Sequence, residues 1–87
     1  MIRMDTKAKE YQAAVAAQLD EERRRTERTF DELAEATTLS RASVERYLKN
    51  RRDIPFAALA ELSTAMGVSV IELVRRAEAR LINESGE

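Results

Sequence analysis

The chain predicts an all-α domain, on three observations. Its 87 residues hold two glycines and one proline, too little turn-forming material for a protein built of hairpins. Much of its hydrophobic content is alanine, the strongest helix former and a residue that lets helices approach closely. Apolar residues recur at spacings of three and four in five segments, with capping residues between them. The length suits one domain around one modest core.

Residues 1–5 are expected to be a flexible N-terminus. The first helix is expected from about Thr6 to Arg24, with Tyr11, Val15 and Leu19 as an apolar stripe beside Ala14. Its charged end, Asp20 to Arg25, reads as a solvated helix terminus where arginines suit the helix dipole, or as a phosphate-contacting end. The second helix begins at Thr29, which forms a capping box with Glu32, and ends near Ala36 or Thr37. Phe30, Leu33 and Ala34 face inward, and Asp31, Glu32 and Glu35 outward. Thr37, Thr38 and Leu39 form a turn.

Ser40 caps a third helix with Val44, Tyr47 and Leu48 on one face and Arg41, Ala42, Glu45, Arg46 and Lys49 on the other. Asn50, which tolerates the left-handed conformation, ends it. The fourth helix starts close to Pro55 and buries Phe56, Leu59, Ala60, Leu62 and Met66 to varying degrees before Gly67 stops it. Ser69 caps a fifth helix, with Glu72 at the capping-box position, and its inner face is Val70, Leu73, Val74, Ala77 and Leu81. Residues 6–82 thus make one domain, and residues 83–87 are expected to be a flexible tail.

Several chemistries are excluded by composition. The chain has no Cys and no His, so disulfides, thiolate nucleophiles, imidazole bases and His/Cys zinc sites are impossible. No pair of carboxylates stands out as an acid–base couple, so no catalytic residue, metal, cofactor or small-molecule ligand is expected. The first ten residues carry no apolar segment of a signal peptide, and no run approaches the roughly 18 apolar residues of a membrane span. A cytoplasmic location is expected, which the absence of Cys fits.

Net charge is −1, but its distribution is uneven. Residues 40–52 hold Arg41, Arg46, Lys49, Arg51 and Arg52 against Glu45 alone, a local charge of +4 that leaves −5 for the rest. Two short helices joined by a tight turn, the second with a basic outer face, are how a small protein places side chains in the major groove of DNA. Residues 29–53 fit that description.

Those residues resemble the Cro and lambda-repressor type of helix-turn-helix domain, also called the xenobiotic-response-element family. The resemblance spans roughly Val15 to Leu73. It is carried by Leu33-Ala34 in the second helix and Leu39 in the turn. Ser40 to Val44 and Glu45 to Leu48 carry it through the third helix, and Leu59 to Leu73 with Gly67-Val68-Ser69 through the joint that follows. The chain departs from the family pattern at five places. Thr38 and Asn50 stand where glycine is usual, Glu27-Arg28 where a Gly-Leu pair is common, Thr37 where an apolar residue is usual, and Phe30 where a phosphate-contacting Gln is common. A positive φ at Thr38 would strain the turn.

The resemblance implies a compact five-helix domain with an extended first helix and a helix-turn-helix at about 29–49. It implies a sequence-specific regulator of transcription, most simply a repressor that occludes RNA polymerase at an operator, of the small phage type, acting in the cytoplasm of a bacterial host. Arg41, Ala42, Glu45 and Arg46 are then the base-reading candidates. Arginine presents two donors to guanine, Ala42 suits a thymine methyl, and Glu45 either accepts from cytosine or orients Arg41 or Arg46. Lys49, Asn50, Arg51 and Arg52 are the phosphate candidates, with Thr29 and Ser43 as weaker ones.

One such domain reads few base pairs, so a homodimer on double-stranded DNA is expected, through Ala77, Leu81 and Ile82 of the fifth helix. Leu81 has the alternative of packing on the first helix. The competing reading is an antitoxin or anti-repressor that uses the same fold to bind a protein.

Overall fold

Two long helices, one from each end of the chain, lie antiparallel and frame three shorter ones. The structure is a computed structural model and describes residues 4–84. In chain order the elements are α1 (Met4–Arg25), α2 (Phe30–Ala36), α3 (Arg41–Leu48), α4 (Phe56–Ala65) and α5 (Val70–Glu84), with no strand among the described residues. The longest dimension is 43 Å. It is set chiefly by α1, whose 22 residues rise about 33 Å.

Both outer helices are longer than periodicity suggested. α1 already includes residues 4 and 5, and α5 includes residues 83 and 84, so neither pair is part of a tail. Residues 1–3 and 85–87, also expected to be flexible, lie outside the described residues. The extension follows from packing, since α1 and α5 make the most extensive helix–helix contact of the domain and support one another toward their ends.

Polar chemistry as well as apolar contact joins these two helices. Glu22, expected to be solvated, is only 2% exposed. Its carboxylate accepts from Arg76 Nη1 of α5 at 2.8 Å, from Gln18 Nε2 at 2.9 Å and from Arg25. Gln18 Oε1 in turn accepts from Arg80 Nε at 2.8 Å. The cross pairs Glu22–Arg76 and Gln18–Arg80 run in opposite order along the two helices, which is the antiparallel register.

Burial pushes the Glu22 carboxyl up, but the hydrogen bonds from Arg25, Arg76 and Gln18 outweigh it and hold the group below its ordinary 4.5. A carboxyl lowered on folding stabilises the fold above its unfolded value, and that contribution is lost as pH falls through the folded value. Glu22→Gln is therefore expected to cost about 1–2 kcal/mol at pH 7. The gap between variant and wild type should close below pH 4.5. Urea titrations of both proteins between pH 7 and pH 3 check this, and a gap that stays constant would contradict it.

Three helices end in the same way. After α1, Glu27 N–H donates to Arg24 O and Arg28 N–H to Arg23 O. After α3, Asn50 N–H donates to Tyr47 O and Arg51 N–H to Arg46 O. After α4, Gly67 N–H donates to Thr64 O and Val68 N–H to Ser63 O. Each is a Schellman motif, and each needs one residue with positive φ: Glu27 at 56°, Asn50 at 58° and Gly67 at 77°.

Glycine and asparagine accept that conformation readily, whereas a glutamate does so at a cost. Glu27→Gly is expected to stabilise the domain by about 0.5–1 kcal/mol, read as a rise in the urea midpoint without a change of slope. A fall in the midpoint would mean that the Glu27 side chain matters more than its backbone.

The core is drawn from every helix: Ala16 and Leu19 of α1, Leu33 of α2, Val44, Tyr47 and Leu48 of α3, Ala58, Leu59 and Leu62 of α4, and Leu73 of α5, with Ile54 and Met66 from the connections. α4 buries Leu59 and Leu62 as expected, with Met66 at its end buried and Ala60 half-buried, and departs from expectation at Phe56. Its buried face is Ala58, Leu59, Leu62 and Ser63, while Phe56 is 70% exposed. Pro55 is the N-cap, so Phe56 is the first helical residue and lies beyond the reach of the neighbouring helices. Val74 of α5, also expected inside, is exposed. Among the described residues, no single helix is long and apolar enough to cross a membrane.

Candidate nucleic-acid interface

α2 has seven residues and α3 has eight, too short to persist on propensity alone, so local caps and burial must hold them. At α2, Thr29 Oγ1 accepts from Glu32 N–H at 3.0 Å, and Glu32 Oε1 accepts from Thr29 N–H at 2.8 Å. At α3, Ser40 Oγ accepts from Ser43 N–H at 3.1 Å and donates to Ser43 Oγ at 3.1 Å. Leu33 is fully buried under α2, and Val44, Tyr47 and Leu48 anchor α3.

The connection between them is fixed by side chains. Thr37 Oγ1 donates to Leu33 O at 2.8 Å and accepts from Leu39 N–H at 3.2 Å. Thr38 gives both its N–H and its hydroxyl to the Glu61 carboxylate of α4, at 2.7 and 2.8 Å. These bonds, the backbone one foremost, hold the Glu61 carboxyl below its ordinary value. Thr38 is not among the positive-φ residues, so the strain anticipated there is absent. A carboxylate from another helix closes this turn in place of a left-handed residue.

The outer face of α3 carries the candidate base-reading group. Arg41, Ala42 and Arg46 are exposed and Glu45 is half-buried. Glu45 sits between two cations one helical turn away on either side, with Arg41 Nη1 and Lys49 Nζ each at 2.8 Å from its oxygens. The Lys49 and Arg41 hydrogen bonds hold its carboxyl below the ordinary value. Its partners are therefore Arg41 and Lys49, not Arg46. Arg41 is held a second time, by Asp31 of α2, whose Oδ1 lies 3.0 Å from Nε. Phe30 underlies the same corner: Arg23, Arg41 and Lys49 place their charges 4.6, 5.5 and 5.9 Å from its ring centroid.

The connection after α3 carries the rest. The positive φ of Asn50 turns the chain so that Arg51, Arg52 and Asp53 stay exposed while Ile54 enters the core. Ile54 N–H donates to Gln12 Oε1 of α1 at 2.9 Å, which docks this connection on α1. Lys9 and Gln12 of α1 join Asn50, Arg51, Arg52 and Asp53 around a shallow open recess of about 360 Å³. Among the described residues, the guanidinium groups of Arg46, Arg51 and Arg52 form no ion pair or hydrogen bond.

Two of the weaker phosphate candidates are occupied locally. The Thr29 oxygen caps α2, leaving only its hydroxyl hydrogen to donate elsewhere. Ser43, half-buried, is paired with Ser40. Asp31, Phe30 and Lys9 were not identified as parts of this face from sequence. A polar i, i+3 pair such as Lys9 and Gln12 does not say which connection it will meet, and Asp31 is ten residues from Arg41.

The proposed dimer surface needs correction. Ala77 is 1% exposed and packed inside the domain, where its small side chain admits close helix packing, so it offers no surface. Leu81 is half-buried and lines a recess with Lys7, Glu10 and Tyr11 of α1. Ile82 is exposed. Ile71 and Val74 are exposed too, and at these positions all three lie on one side of α5, with Glu78 between.

Comparison with family models, with characterised proteins and with solved structures gives no significant match for this chain.

Proposed function

We propose that this protein is a sequence-specific double-stranded DNA-binding regulator of transcription, most simply a repressor. In this reading α2 and α3 form a helix-turn-helix of the lambda-repressor-like kind, and α3 enters the major groove. The observation that carries it is the set of exposed guanidinium groups of Arg46, Arg51 and Arg52, without an ion-pair partner among the described residues, on the outer face of α3 and the connection beyond it. Exposed cations that no carboxylate neutralises are what a phosphate backbone attracts. Ala42, small and exposed beside Arg41 and Arg46, leaves room for close approach to base edges.

Arg46 and Arg41 read bases in this scheme, with Glu45 as an orienting partner of Arg41. Arg51, Arg52 and Lys49 contact phosphates, and Asn50 shapes the connection that presents them. Two copies bind half-sites about 34 Å apart. Ile71, Val74 and Ile82 of α5 are the surface through which they pair. Such a regulator would act in the cytoplasm of a bacterial host.

The exposed Phe56 and the apolar side of α5 also favour a second reading, an antitoxin or anti-repressor whose main partner is a protein. Selection from a random-sequence DNA library, followed by titration of the winning site at several salt concentrations, separates the two. The regulator yields a palindrome and a log–log salt slope of roughly −0.9 per neutralised phosphate. Absence of any enriched sequence would reject it.

A further inference from the structure

We infer that Asp31 and Phe30, both on α2, are positioning residues that fix the guanidinium of Arg41 for base reading, so that α2 sets the specificity of α3. The inference rests on the DNA-binding reading above. Three contacts meet at the Arg41 side chain, and a fourth observation anchors one of them. Asp31 Oδ1 lies 3.0 Å from Arg41 Nε. Glu45 Oε1 lies 2.8 Å from Arg41 Nη1. The Phe30 centroid lies 5.5 Å from Arg41 Cζ. Phe30 itself packs against the core, so the ring is an anchored platform.

An arginine has five N–H donors in a rigid plane. One, on Nη1, is hydrogen-bonded to Glu45, while Asp31 holds the Nε edge by charge, without a directed hydrogen bond. A plane held by ion pairs from two helices and by an aromatic ring has lost most of its rotamer freedom before any ligand arrives. The remaining donors are then presented in one geometry, the condition for a bidentate contact to one base.

The pair is solvent-exposed and stabilises the fold little, so its value lies in geometry. It also has a cost. A carboxylate beside the groove repels every phosphate backbone, whatever the sequence. Removing Asp31 therefore has two effects of opposite sign: binding to non-cognate DNA strengthens, while discrimination at the base pair read by Arg41 weakens. A carboxylate acting only as a charge would change all sequences alike.

The test uses Asp31→Asn, at a surface position where the fold tolerates change. In the free protein, NMR relaxation at Arg41 Nε should show an ordered side chain in the wild type and a clearly more mobile one in Asp31→Asn. On DNA, Asp31→Asn should lower discrimination by roughly fivefold or more at one base pair, the one that Arg41→Ala also relaxes. In the Arg41→Ala background the same change should alter discrimination nowhere.

Equal effects at all base pairs, or a specificity change that persists without Arg41, would overturn the positioning role. So would a selected site combined with an Arg41 side chain that is as mobile in the wild type as in Asp31→Asn. A wild-type protein that selects no site overturns the DNA-binding reading, and the positioning role with it, even where the Arg41 side chain is ordered. Phe30→Leu provides a second readout: with the urea midpoint matched to wild type by assay temperature, it should lower discrimination at that same base pair, and a change at any other pair would count against the platform.

Discussion

Replacing Arg51 and Arg52 together by alanine is expected to weaken binding to every DNA sequence by roughly thirtyfold to a hundredfold near 0.1 M salt, while leaving the ranking of sequences intact. Both side chains are exposed, and neither is tied to a carboxylate among the described residues, so nothing in the fold depends on them. Each neutralised phosphate contributes about −0.9 to the log–log salt slope, so the double variant should be shallower by about 1.8.

Arg46→Ala should behave differently. It removes a side chain from the face of α3, so its effect should fall on one base pair, at roughly fivefold to a hundredfold in discrimination. Titrations of cognate and scrambled sites at four salt concentrations compare the two variants. If the double variant altered sequence ranking, or left the salt slope unchanged, the division between positioning and reading residues would be wrong.

Leu33→Ala should destabilise the domain by about 3 kcal/mol. Leu33 is fully buried, and α2 has only this one buried residue to hold its seven residues down. The truncation removes apolar surface and leaves a cavity that Ala34 and Phe30, fixed on the same short helix, cannot fill. An 87-residue domain has a total stability on the order of 4–13 kcal/mol, so the loss is a large part of it. The urea midpoint measured by far-UV circular dichroism reports it, and a loss below about 1 kcal/mol would show that α2 is held mainly by its caps and by Glu61. Because Asp31 and Phe30 ride on α2, the surviving folded fraction should also discriminate less at the base pair read by Arg41.

The contrast between the two predictions follows from where each group sits. Arg51 and Arg52 contribute charge and nothing to the core, so they can be lost without unfolding. Leu33 contributes no charge and holds in place the helix that presents one. Glu61 stands between: it lies on α4, far from the outer face of α3, yet both of its carboxylate oxygens are spent on Thr38, which sets the angle between α2 and α3.

The sequence by itself determined the features whose physics acts within about four residues. The caps at Thr29, Ser40 and Ser69 each bond to a backbone N–H three residues on, and all three were legible from residue type and spacing. The end of α3 at Asn50 was legible for the same reason, since a left-handed residue closes its own helix. The alternation of Val44, Tyr47 and Leu48 with Arg41, Ala42 and Arg46 divided α3 into an inner and an outer face before any neighbour was known.

Only the tertiary structure decided what each outer or inner face meets. Glu22 lies in a charged run and is nonetheless buried, because Arg76 arrives from 54 residues away. Phe56 is aromatic and nonetheless exposed, because it precedes the part of α4 that other helices cover. Ala77 is too deeply packed to serve as a surface. Arg41 has Glu45 as a possible partner in sequence, whereas only the fold brings Asp31 of α2 to its other edge. The reason is common to all four. Local hydrogen bonds and helical phase depend on spacing along the chain, while burial and ion pairing depend on which helices come together and at what angle.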